Sequence, residues 1–158
     1  MKRRESGFTL IELVVTVALV SILALVAVPL GELSVQRLRE GELRNSLRQI
    51  REALDAYKRA SDSGQVARRA DGTGYPRSLD ELALGVVDAK SVSGSKIYFL
   101  RRLPRDPFYE DLRAPAAATW GKRSYASPPD MPIEGEDVFD VYSRSERIGL
   151  NGIALREW

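Results

Sequence analysis

The sequence predicts an α+β chain: one long N-terminal helix, apolar in its first half and amphipathic in its second, packed on a small antiparallel β-sheet. Three observations carry this. Residues 8–30, FTLIELVVTVALVSILALVAVPL, hold no Lys, Arg or Asp, and Glu12 is their only ionisable side chain. Farther on, Leu43, Leu47, Ile50, Leu54 and Tyr57 recur at steps of four and three, which places them on one face of a helix. Near the C-terminus, residues 137–143, DVFDVYS, set Phe139 and Val141 against Val138, Asp140 and Tyr142 in the period-two alternation of a strand.

At about 1.5 Å rise per residue, a helix over 8–30 covers roughly 30 Å, the hydrocarbon thickness of a bilayer. The segment before it, Met1-Lys2-Arg3-Arg4-Glu5-Ser6-Gly7, carries three basic side chains against one acidic, a flank that the positive-inside bias keeps in the cytoplasm. The rest of the chain then lies outside. A secretory signal peptide places its small-residue cleavage site after the apolar run, whereas Ser6-Gly7 precedes it, so the helix stays with the mature protein. Glu12 is costly in such a segment, and a cation partner would lower that cost.

Gly7-Phe8-Thr9-Leu10-Ile11-Glu12-Leu13, behind its basic leader, resembles the prepilin signal of type IV pilins and type II secretion pseudopilins. The resemblance implies that a prepilin peptidase cuts between Gly7 and Phe8, that the new amine of Phe8 is methylated, and that Glu12 acts in assembly. It also implies a role for Pro29, which kinks or loosens a helix that continues past it. No convincing stop follows, since Gly31 and Gly41 are weak breakers at about 1 kcal/mol each. The expected layout is a leader at 1–7, a transmembrane and assembly helix at 8–30, its amphipathic continuation at 31–60, and a periplasmic domain at 61–158.

At 158 residues the chain amounts to one domain, and its formal charge of +2 demands no nucleic-acid partner. With no cysteine there is neither a disulfide framework nor a thiolate metal site, and the disulfide-closed loop common in type IV pilins is missing. With no histidine, the usual general base and the commonest zinc ligand are gone. The acidic turn Glu134-Gly135-Glu136-Asp137 has no nucleophile or base as companion, so no enzyme is expected.

In chain order, residues 61–73, small and polar, read as a loop leaving the helix. Tyr75-Pro76 sets a turn before a short helix that Ser78 caps, with Glu81 completing a capping box. Residues 95–100, SKIYFL, are β-branched and aromatic. Pro104 and Pro107 then make the following stretch a structured connection rather than a strand. Leu103-Pro104-Arg105-Asp106-Pro107-Phe108 resembles a pseudopilin signature leading into the sheet, and residues 109–119 read as an exposed insertion. Strands are expected over 122–127 and 137–143, in a sheet of three or four strands.

Residues 137–143, the following Gly149-Leu150-Asn151-Gly152 and Trp158 resemble the C-terminal end of major pseudopilins. That resemblance implies a calcium site in the loop after the strand, with Ser143, Glu146 and Asn151 as weak candidates. Calcium takes six to eight oxygens, carboxylates among them, whereas this loop offers one carboxylate, one amide and two arginines. A turn in which Asn151-Gly152 supplies positive φ needs no metal, and no cofactor is assigned. The resemblance implies a bacterial inner-membrane protein, single-pass, with a cytoplasmic N-terminus and a periplasmic domain. Its partners would be copies of itself, other pseudopilins, the prepilin peptidase, the inner-membrane secretion platform and lipid. The alternative is a type IV pilus or competence-type subunit that binds surfaces, or DNA through Arg68, Arg69, Arg101, Arg102 and Arg105.

Overall fold

The computed structural model describes residues 7–69 and 72–158, without the side chains of Val26 and Pro29. Leader residues Lys2, Arg3 and Arg4 lie outside the described residues, as does the side chain of Pro29. Helix α1, Leu10–Asp62, runs unbroken through position 29 and through Gly31 and Gly41. It ends where Gly64 takes φ +77°. Gln65 then donates its amide to the Ala60 carbonyl at 2.9 Å, and Gly64 donates to Ser61 at 3.0 Å. These two bonds make a Schellman motif, closing carbonyls that the helix end leaves open.

The chain divides into two compact units, the second spanning Arg39–Trp158. In that unit the predicted stripe is the core face of α1. Leu43, Leu47, Ile50, Leu54 and Tyr57 are all buried, together with Leu79, Leu82, Trp120, Val138, Val141 and Leu155. Not every basic residue of this helix points away from the domain. Arg51 pairs with Asp140 at 2.8 Å and donates to the Val141 carbonyl at 3.2 Å, tying α1 to the strand it packs on.

Helix α2, Asp80–Leu84, does not form the expected capping box. The N-cap position falls to Leu79 rather than Ser78 and has no side-chain capping bond, while the carboxylate of Glu81 accepts from the Arg77 amide at 3.3 Å and from the Tyr57 hydroxyl at 3.0 Å. Strand β1, Val86–Val87, pairs antiparallel with β2, Lys96–Ile97. Strand β3, Trp120–Arg123, pairs antiparallel with β4, Asp140–Ser143. The expected single sheet is thus two separate two-stranded ribbons. After β2 the amides of Phe99 and Leu100 both donate to the Leu82 carbonyl, at 3.0 and 2.9 Å, so the chain closes against α2 instead of extending a ladder. β3 begins earlier than expected and stops at Arg123. Val138, assigned by alternation to the face opposite Val141, is buried like Val141, because its amide turns aside to the Pro76 carbonyl at 2.8 Å before β4 starts. The insertion at 109–119 is exposed at its tip, but Ala116–Thr119 is a 3-10 turn whose Thr119 is fully buried.

Candidate functional site

Thr9 and Glu12 build the start of α1. The Thr9 amide and hydroxyl each donate to Glu12 Oε2 at 2.9 Å, and the Glu12 amide donates back to Thr9 Oγ1 at 3.3 Å. This reciprocal capping box satisfies donors that the first turn of any helix leaves open. The Thr-x-x-Glu spacing that makes this box is legible in the sequence, directly after the glycine and phenylalanine. The other hydroxyls of the apolar stretch are also satisfied within the helix, Thr16 on Leu13 at 2.9 Å and Ser21 on Val17 at 2.8 Å. A helix with its polar groups closed internally suits surroundings without water.

Among the described residues, nothing covers this stretch. Every described side chain from position 8 to 35 is exposed, Leu10 at 84% and Leu25 at 76%. Its length and composition suffice to cross a membrane. So continuous an apolar surface marks contact with lipid or with other protein.

The C-terminal loop is organised around two carboxylates that the sequence reading did not single out. Asp106, 2% exposed, accepts the Ser143 hydroxyl at 2.6 Å and the Phe108 amide at 2.8 Å, while its own amide donates to Thr119 Oγ1 at 3.1 Å. Glu40, 4% exposed, accepts the Leu150 amide at 2.8 Å. Asp106 had a readable signal, since an Asp whose side chain bonds the amide two residues on is a common turn-former. Glu40 had none.

Of the weak calcium candidates, Ser143 is buried on Asp106, and Asn151 Oδ1 accepts the Ile153 amide at 3.1 Å. Glu146 is exposed, and the described residues contain no group of three or more acidic side chains fit for a metal. Arg144 and Arg147 project from the same loop over the rings of Tyr109 and Phe108, at 6.0 and 5.8 Å. This donor set does not fit a calcium ion. Gly152, at φ +79°, supplies the positive φ of the turn, and Asn151 does not share it.

Asp137, from the acidic turn, is a structural hub. It accepts the Ser124 hydroxyl at 2.7 Å, the Tyr125 amide at 2.9 Å and the Thr73 hydroxyl. Burial pushes its pKa up, but the hydrogen bonds from Ser124, Thr73 and the Tyr125 amide outweigh burial and hold it below the ordinary value. Glu134 pairs with Lys122 at 3.3 Å. Among the arginines weighed for DNA, Arg68 donates to the Gly72 carbonyl at 3.0 Å, and Arg105 donates to the carbonyls of Asp111, at 2.8 Å, and Ala114. Arg101 and Arg102 are exposed.

An apolar N-terminal helix together with small antiparallel ribbons is consistent with a pilin-like fold, and residues 2–28 match the prokaryotic N-terminal methylation motif. Over nearly its whole length the chain is similar to core protein G of the type II secretion system. It is 25% identical to that protein of Dickeya chrysanthemi over 160 aligned residues, covering 96% of this chain and 97% of the relative. Against core protein G of Aeromonas hydrophila the identity is 27% over 139 residues, covering 85% and 87%. No solved structure matches the chain.

Proposed function

We propose that the chain is a structural subunit of a type II secretion pseudopilus. In this reading, residues 1–7 are removed by a prepilin peptidase, the amine of Phe8 is methylated, and the 8–30 helix holds the precursor in the inner membrane with the 61–158 domain in the periplasm. The carrying observation is the apolar first half of α1, exposed at every described side chain and lying largely within the methylation motif of residues 2–28. In the membrane lipid covers it, and in the polymer neighbouring helices do. Because lipid tails are as apolar as the side chains, this exchange has little hydrophobic driving force of its own, so extraction calls for the secretion platform.

Glu12 fits the same reading. Both Thr9 bonds fall on Oε2, and a carboxylate has acceptor capacity on each oxygen, so Oε1 can take the freed amine of Phe8 on a neighbouring subunit. Such a pair would fix the axial register of helices that otherwise slide freely.

The test is processing. Gly7→Val places a branched side chain beside the scissile bond and should leave full-length precursor in membranes, whereas a mature N-terminus at Phe8 in that variant, read by mass spectrometry, would refute the assignment. Steeply salt-dependent DNA binding would instead favour a competence-type subunit.

A further inference from the structure

We infer that the C-terminal loop of this chain is held by its own buried carboxylates, Glu40 and Asp106, in place of the calcium ion that the resemblance implies. The loop between β4 and the terminal 3-10 turn, Leu155–Glu157, has almost no regular structure, so its backbone donors need partners one by one. Many of them have partners within the chain. The Ser145 amide donates to Ser143 Oγ at 3.1 Å and Gly149 to the Ile153 carbonyl at 2.9 Å. Gly152 donates to the Gly149 carbonyl and Leu155 to the Arg147 carbonyl, each at 2.9 Å. Both ends are anchored in the core, since Ser143 and Leu155 are fully buried.

The polarity of the contacts decides against an ion. A cation gathers oxygens, so a calcium loop turns carbonyls and carboxylates inward. At Leu150 this loop presents an amide hydrogen instead, and the side chain facing it is an acceptor reaching from α1. At Ser143 it presents a hydroxyl donor to Asp106. A buried carboxylate is tolerated where hydrogen bonds replace its water, and these two find such bonds on the loop and on the Asp106 turn. The guanidinium groups of Arg144 and Arg147 add positive charge to a segment that a divalent ion would have to enter.

The inference stands apart from the secretion assignment, because its test needs only the folded chain. In the full chain in detergent micelles, Tm and the exchange protection of the Leu150 amide, read by NMR, should be the same in calcium chloride and in chelator. Glu40→Ala should then speed exchange at Leu150 by about 10- to 100-fold, the loss expected for one hydrogen bond to a charged acceptor. Glu40→Gln, which keeps an acceptor oxygen, should retain most of the protection. A calcium-dependent rise in wild-type Tm or protection overturns the inference, as does loss in Glu40→Gln equal to that in Glu40→Ala. If Glu40→Ala does not fold, the wild-type comparison and Glu40→Gln still decide it.

Discussion

The hydroxyl of Tyr57, in the last turns of α1, donates to the carboxylate of Glu81 at the start of α2 at 3.0 Å. Burial first, and then the Glu81 charge, raise the phenol above its ordinary pKa, so this bond persists through neutral and mildly alkaline pH. The raised value means that its contribution is complete below the unfolded pKa near 10 and is lost only at strongly alkaline pH. Tyr57→Phe keeps the ring contact with Phe99, at 5.2 Å between centroids, and removes only the hydroxyl. A loss of about 1 kcal/mol is expected in urea unfolding of a 33–158 fragment, discounted for partial exposure.

Glu12 is expected to act in assembly rather than in insertion or cleavage. Glu12→Ala should be inserted and processed normally yet yield few sheared filaments, while Glu12→Asp should retain part of the yield. Thr9→Val removes one donor to Glu12 and should cost the first turn about 1 kcal/mol without abolishing filaments. Filament yield for Glu12→Ala equal to wild type would leave the carboxylate with its capping role alone.

Asp137 makes the fold acid-sensitive. Its folded pKa lies below the unfolded value, so its contribution is present above about pH 4 and is lost as pH falls through the folded pKa. Urea unfolding of the 33–158 fragment between pH 5 and 2 should show this loss, and Asp137→Asn should flatten it. The Asn variant should also be less stable at pH 7, because the amide cannot accept all three donors as well as the carboxylate does.

Gly121 lies opposite Tyr142 in the β3–β4 ladder, and a Cβ on it would stand 2.3 Å from that ring. The aromatic ring covers the bare backbone of a strand glycine, the cross-strand device known as aromatic rescue. Gly121→Ala should destabilise the fragment by about 1 to 3 kcal/mol, and Tyr142→Ala in the same chain should recover part of the loss. Additive losses in the double variant would show that the two positions do not couple.

The sequence by itself determined what depends on local pattern. The apolar run of 8–30 and the stripe from Leu43 to Tyr57 specify α1 and its buried face, because helical periodicity is a property of neighbours in the chain. The methylation motif of residues 2–28 was legible for the same reason. The tertiary structure decided whatever depends on contacts distant in sequence. Two strands per ribbon, instead of one sheet, follow from Phe99 and Leu100 turning to Leu82. Glu81 leaves its expected capping role, its carboxylate spanning the Arg77 amide and the Tyr57 hydroxyl of α1. Glu40, among the many charged residues of α1, meets Leu150 across 110 positions. No local pattern marks such a residue, because its partner is a backbone amide whose position exists only once the chain has folded.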